Sequence, residues 1–135
     1  MLSITFIIPG KPFGKQRPRF SRRSGRAYTP AKTIEHEAAV AAAAKEHFPE
    51  PLDGPIKLLV AAVFEPPKSW SKAKKAEHLG RSHMQAPDAD NIIKAVADGM
   101  NGIAYGDDSQ VAAMEVVKVW GPSARTVITV RTLSE

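Results

Sequence analysis

Ile56-Lys57-Leu58-Leu59-Val60-Ala61-Ala62-Val63-Phe64 is apolar on both of its alternations, broken only at Lys57. A strand with one solvated face alternates apolar with polar residues. A run apolar on both sides is expected at the centre of a sheet covered on two faces. Glu65-Pro66-Pro67 closes it, because proline cannot donate to a strand ladder. Upstream, Leu2, Ile4, Phe6 and Ile8 fall on one side of a period-two pattern that Pro9-Gly10 stops. Between these two strands Thr29-Pro30 reads as an N-cap followed by a first helical residue. The alanine-rich helix it opens runs to about Phe48, where Pro49 and Pro51 end it. Ile34, Ala38, Ala41, Ala42 and Lys45 mark its rows, with alanines small enough for close packing against a sheet.

Downstream, Ser69 to Leu79 reads as a short helix capped by Ser69 or Ser71 and stopped by Gly80, with a mobile link to Pro87. A second main helix is expected from Asp90, as N-cap, to Met100 or Asn101, with Gly102 as the stop. Gln110–Trp120 and Arg125–Leu133 are β-rich and joined through Gly121-Pro122-Ser123, which predicts an antiparallel hairpin. The order is β-α-β-(short α)-α-β-β. It predicts one α+β domain over residues 1–135, a mixed sheet of about four strands packed with two main helices.

The chain is the size of one domain, and its 43% apolar and 24% charged residues are ordinary for a globular protein. No apolar run approaches the roughly 20 residues of a membrane span, so no membrane partner is expected. Met1 to Pro9 lacks the pattern of a secretory signal. The absence of cysteine removes disulfides and thiolate metal sites, and a cytoplasmic location is the expectation. A net charge of +5 and a pI near 9.6 favour an anionic partner. Between Lys11 and Lys32 stand eight cations (Lys11, Lys15, Arg17, Arg19, Arg22, Arg23, Arg26 and Lys32) and no acid. Pro12, Gly14, Pro18 and Ser24-Gly25 make that stretch a loop with a hairpin near its middle. Its bland reading is a solvated basic loop; its functional reading is phosphate-backbone contact.

Against this basic background stands one acidic knot, Pro87-Asp88-Ala89-Asp90-Asn91-Ile92-Ile93-Lys94, followed by Asp98 and then Asp107-Asp108. At 100° per residue Ile92, Ile93, Val96, Ala97 and Met100 form one helix face, and Asp90, Lys94 and Asp98 lie on the other. Each piece has a bland account: a cap, an i,i+4 ion pair, a turn. Together they point further, since the nine-residue link between Asp98 and Asp108 is short enough to return the second pair to the helix start. Two or three converging carboxylates suit Mg²⁺, with Mn²⁺ as an alternative ion, completed by water and substrate phosphate. Such an ion activates water and polarises a phosphate, and Lys94 is placed to orient water or offset developing charge.

Asp88-x-Asp90-Asn91-x-x-Lys94, Asp98 and Asp107-Asp108-x-Gln110-Val111 resemble the RusA family of Holliday-junction resolvases. Lys11-Pro12 after Pro9-Gly10, Arg17-Pro18-Arg19-Phe20, Tyr28-Thr29-Pro30 and Pro66-Pro67-Lys68-Ser69-Trp70-Ser71 resemble its phage-type members. The resemblance implies a homodimeric, magnesium-dependent endonuclease that makes paired nicks in a four-way DNA junction. By position it implies Asp88, Asp90 and Asp108 as metal-holding catalytic carboxylates and Lys94 as the catalytic lysine, with Asp98 and Asp107 less central. His83-Met84-Gln85-Ala86-Pro87 stands where the best-known members carry a basic run. DNA contact is therefore expected from Lys11, Lys15, Arg17, Arg19, Arg22, Arg23 and Arg26, and from Lys72, Lys74 and Lys75 of the extra Trp70–Arg81 excursion.

Phe20, Tyr28 and Trp70 lie among the cations and are open to base stacking or to packing; Trp120 is read as core or dimer surface. His36, His47, His78 and His83 have no paired ligand spacing, and His36 and His47 are read as helix-surface residues. Two rivals stay open: a non-catalytic DNA-binding accessory module, and a nuclease for flaps or forks.

Overall fold

Phe6, Val60 and Ile128 stand side by side across three neighbouring strands, all buried on the same sheet face. The computed structural model describes residues 2–134; Met1 and Glu135, the ends of the expected domain, lie outside the described residues. In chain order the elements are β1 (Ser3–Pro9), β2 (Arg19–Phe20), β3 (Ala27–Tyr28), α1 (Ala31–Lys45) and β4 (Ile56–Phe64). Then come α2 (Lys72–His78), α3 (Ala89–Met100), a 3₁₀ turn (Asp108–Gln110), β5 (Val111–Trp120) and β6 (Arg125–Thr132). The main sheet runs β1-β6-β4-β5, and β2 with β3 forms the small hairpin expected around Ser24-Gly25. The expected α+β domain with a mixed four-stranded sheet is the fold observed.

The expected β5–β6 hairpin is not formed. β6 lies between β1 and β4, antiparallel to both, while β5 runs parallel to the far side of β4. Burial decides the arrangement. β6 buries Thr126, Ile128 and Val130 and suits an interior strand, whereas β5 is mostly exposed or half-exposed and suits an edge. Gly121 carries the chain across the end of β4 by donating its N–H to Phe64 O at 2.9 Å. Parallel pairing demands a long crossover, and residues 65–110 supply it with α2 and α3.

β4 also departs from expectation. One face is fully buried, but Leu59 and Ala61 on the other are half-exposed, alongside exposed Ile7 and Val117. An interior position in the sheet, rather than cover on both faces, explains its apolar run.

At twelve residues α3 is short enough to be marginal alone. Burial of Ile92, Ile93, Val96 and Met100 stabilises it, at about 1.5–3 kcal/mol per large side chain. α1 begins one residue later than expected, with Pro30 in the cap position, and buries Thr33, Val40 and Ala44. Ile34 and Ala38, expected in the packing rows, face out, since α1 lies on α3 as well as on β1. His36 is half-buried and stacks on Phe13 at 4.8 Å between centroids, while His47 lies against Phe6 at 5.1 Å.

The α1–α3 contact is tightest at Gly99, where an added Cβ would stand 2.7 Å from Val40 Cβ and 3.3 Å from Glu37 O. Gly99→Ala gains about 1 kcal/mol of helix propensity and loses about 1–3 kcal/mol to overpacking. Urea melts should therefore show a net loss, recovered in part by Val40→Ala on the same background. A Gly99→Ala protein more stable than wild type would show that the two helices separate freely.

Candidate active site

α3 begins at Ala89, so the N-cap position falls to Asp88 and not to Asp90. Ile92 N–H reaches Asp88 O at 3.1 Å, closing the first helical turn on the Asp88 carbonyl. The Asp88 side chain caps nothing and projects from the helix mouth; Asp90, in the first turn, accepts from Asn91 N–H at 3.0 Å through Oδ1. Both residues are exposed.

A basic strap crosses this mouth. Lys15 N–H donates to Asn91 O at 2.9 Å, and Gly14 sits so near Pro87 that a Cβ there would come within 2.6 Å of Pro87 Cβ. The Lys15 ammonium turns inward to hydrogen-bond Asp98 and also reaches Glu37 at 3.3 Å. From the other side Lys94 Nζ approaches Asp98 Oδ1 at 3.1 Å. Burial works against charge on Asp98, but the hydrogen bonds from Lys15 and Lys94 outweigh it and hold its carboxyl below the ordinary value. The hydrogen bond to Asp98, partly opposed by burial, holds Lys15 above its own. A small cleft of about 160 Å³ remains between strap and helix, with Arg17 and Lys94 on its wall.

The link to Pro87, expected to be mobile, is pinned along β5. Gly80 N–H donates to Trp120 O at 2.9 Å, Trp120 N–H to Arg81 O at 3.0 Å and His83 N–H to Lys118 O at 3.0 Å; the Lys118 ammonium bonds Gln85 O. His83 is buried, stacks on Phe64 at 3.7 Å between centroids, and leaves Nδ1 without a partner. Burial and the neighbouring Lys118 and Lys11 lower its pKa, which keeps the imidazole neutral.

The second acidic pair divides its labour. Asp107 caps the 3₁₀ turn, accepting from Ser109 N–H at 3.1 Å, and Gln110 Oε1 accepts from Gly106 and Asp107 N–H. The bonds from Ser109 lower the Asp107 pKa. Gln110 Nε2 ties the turn to Leu52 O and Gly54 O. Asp108 is exposed beside it. The link before the turn lies against the later part of α3, where buried Tyr105 donates to Ala97 O at 2.7 Å. Burial first, then the charges of Asp108 and Asp98, push the Tyr105 phenol above its ordinary range.

Asp88 and Asp90 thus share the start of α3, while Asp108 rides on a separate turn. Among the described residues no group of three or more His, Asp or Glu side chains stands close enough to hold a metal ion. In donor chemistry the set does fit a hard cation, since none of the three carboxylates is in an ion pair among the described residues.

The basic residues separate likewise. Lys11, Arg17, Arg19, Arg22, Arg23 and Arg26 are exposed, as are Lys72 and Lys74 on α2, with Lys75 half-exposed; Lys15 is engaged internally. Ser71 caps α2, accepting from Lys74 N–H at 3.1 Å. Phe20 and Tyr28 are exposed on the β2–β3 hairpin, and Trp120 is buried as expected.

Residues 9–131 match the family described as Endodeoxyribonuclease RusA. The chain belongs to that family. It is also similar to the Uncharacterized protein YqaN of Bacillus subtilis (strain 168), 34% identical over 138 residues that cover 97% of each chain. Membership makes the chain part of a family of DNA endonucleases, and among its described residues no helix is long and apolar enough to cross a membrane.

Sequence reading missed the Lys15–Glu37 and Lys15–Asp98 contacts, which join residues too far apart for any local spacing rule. It also missed the part Asn91 plays through its carbonyl, because main-chain acceptors leave no residue signature. Asp98→Asn should cost about 1–2 kcal/mol near neutral pH, between the values of surface and buried pairs. Since the folded pKa of Asp98 is depressed, its contribution is present above the unfolded value near 3.8 and fades as pH falls through the folded one. Denaturant melts of wild type and variant should therefore differ from about pH 5 to 9 and converge in acid. A gap that persists unchanged at pH 2 would rule out the ionic origin.

Proposed function

We propose that the chain is a metal-dependent, structure-selective endonuclease that resolves four-way DNA junctions by paired nicks in opposed strands. The observation that carries this reading is the split among its acids. In a chain of net charge +5, Asp98 takes two lysines while, among the described residues, Asp88, Asp90 and Asp108 take none. Exposed carboxylates that are not committed to ion pairs are free to take a ligand, and a divalent cation is the ligand their chemistry suits.

Asp88, Asp90 and Asp108 would hold Mg²⁺, or Mn²⁺ in its place. The bound ion would supply Lewis acidity and an activated water. The residues of the chain do the rest. The α3 N-terminus, with its unpaired N–H groups, favours an anion at its mouth. Lys94, held by Asp98 on the outward row of α3, is positioned to offset charge on the phosphoryl oxygens. Arg17 shares the cleft with Lys94 and would take a neighbouring phosphate. Lys11, Arg19, Arg22, Arg23, Arg26, Lys72, Lys74 and Lys75 follow the backbone without reading sequence. Lys15, expected among them, is better suited to holding the strap on α3.

Opposed nicks need two active sites in a fixed relation, hence a homodimer. A cruciform plasmid tests this, because a dimer that cuts both strands in one encounter yields linear product, whereas independent monomers yield nicked circles. Labelled junction, fork and linear duplex, each with Mg²⁺ or EDTA, test the substrate. Cutting of the junction alone and only with metal is expected; cutting of forks in preference, or of nothing, would displace this reading. Asp90→Asn should lower the junction cleavage rate at least about a hundredfold, since metal catalysis supplies several kcal/mol, and should leave junction binding equal or tighter. Magnesium-dependent nicking by pure Asp90→Asn protein would overturn the role given to that carboxylate.

If the β2–β3 hairpin follows the backbone, each phosphate contact removed should reduce the slope of log K against log salt by about 0.9. Arg22→Gln with Arg23→Gln should then reduce it by about 1.8 in fluorescence-anisotropy titrations. An unchanged slope would move the hairpin off the DNA.

A further inference from the structure

The Ser69–Gln85 excursion reaches the core through Trp70 and His83, but its helix α2 buries no residue at all. It nevertheless builds an aromatic cleft. Trp70 lies 4.6 Å from His78 and 5.1 Å from Trp120 between centroids, with the rings tilted by 50° and 48°. Trp120 also lies 4.5 Å from His83. Between α2 and the end of β5 these rings leave a cleft of about 390 Å³, within the range of small-ligand sites. A deeper recess of about 110 Å³, reaching Phe64 and His83, shares Trp120 and Gln85 with it. Trp120 is buried and supports the floor, but Trp70 and His78 keep part of their surface open.

The rim is cationic. Lys74 Nζ stands 4.3 Å over the Trp70 ring, and Arg81 lines the same cleft. Met84, at 91% exposure, also lines it. A half-exposed indole, covered by a mobile lysine rather than by packed side chains and flanked by further cations, has the ingredients of a stacking site for an unpaired base. Its place along the chain gives it a role. Gln85 on the cleft wall is three residues from Asp88, a span of at most about 11 Å or roughly three base steps of a strand rising about 3.4 Å per base.

We propose that this cleft receives an unpaired nucleobase from the cut strand within about three nucleotides of the scissile phosphate, stacking it on Trp70, and thereby sets the cleavage-sequence preference. Lys74 moves from the indole to that nucleotide's phosphate, the ring exchanging one cationic partner for a base. The proposal rests on the nuclease reading above and adds to it a base-specific subsite.

Two measurements test it. In the first, a junction whose branch point migrates through varied sequence is cut, and cutting at preferred and other positions is compared within one reaction. Trp70→Ala should reduce the preference ratio about tenfold, whatever the overall rate, and Trp70→Phe, which keeps a ring, should largely restore it. A ratio unchanged in Trp70→Ala would overturn the proposal. In the second, 2-aminopurine is placed at each of the three positions next to the branch and read in EDTA with wild-type protein at saturation. Its emission should be quenched at one position, and His78→Ala with Lys74→Gln should relieve the quenching. Quenching at none of the three would overturn the subsite. Because this readout needs no cleavage, a protein that binds junctions and cuts nothing would remove the nuclease reading while the base site is still decided.

Discussion

Burial of one stripe of α3 governs where everything chemical can be. Ile92, Ile93, Val96 and Met100 must face the sheet and α1, and the helix is too short to hold its shape without that contact. A helix has no freedom to bury one stripe and rotate the other, so Asp90, Lys94 and Asp98 are carried outward in a row. Gly99 sets how near α1 can come, and that distance brings Glu37 of α1 within reach of Lys15, which also holds Asp98 of α3. The strap is thus fixed by the same packing that orients the acids. A change in the core beneath α3 would move Asp90, Lys94, Asp98 and the strap together.

The acids of the site are separated by function through hydrogen bonding. Asp98 is half-buried between two lysines and ties the strap to the helix, and Asp107 is consumed by the 3₁₀ turn. Both have depressed pKa values with identified partners, the pattern of carboxylates stabilised within a fold. Among the described residues Asp88 and Asp108 engage no side-chain partner, and Asp90 accepts from its neighbour's N–H. The mouth of α3 favours negative charge, so Asp88 and Asp90 stand there without an ion-pair partner among the described residues. In the proposed function a cation held by these carboxylates would also meet the DNA phosphate.

What the sequence disclosed was mostly what one element can disclose about itself. The α3 stripe, the Ser24-Gly25 hairpin, a serine cap on α2 (Ser69 or Ser71, of which Ser71 serves) and the prolines that end α1 and β4 are local, and each was legible. Relations between elements were less so. β5 and β6 are separated by four residues that read as a hairpin turn, yet the burial demand of Ile128 and Val130 places β6 inside the sheet and sends β5 to the opposite flank of β4. α1 hid its packing face because alanine satisfies every side of a helix equally, so Thr33 and Val40 could not be told from Ile34 and Ala38. The pinned 80–85 link was hidden for another reason: its order comes from main-chain bonds to β5, which any residue can make. The carboxylates were legible as types and spacing, but position on a turn or a helix mouth depends on the link from Asn101 to Tyr105 packing against α3, and no motif encodes that.

The parallel pairing of β4 with β5 ties these threads together. Such a pair requires a long connection, and here residues 65–110 contain α2, α3 and the acidic turn, the elements to which both proposed sites belong. The two halves of that connection are under different constraints. α3 is buried along a full stripe and fills the space over the sheet, so its sequence is restricted by packing as well as by chemistry. α2 buries nothing and is attached through Trp70, His78 and the bonds from Gly80 to His83, so its surface is free to change while the sheet stays intact. A fold built this way can keep α3 and its acids fixed and alter the proposed base cleft by altering the excursion alone.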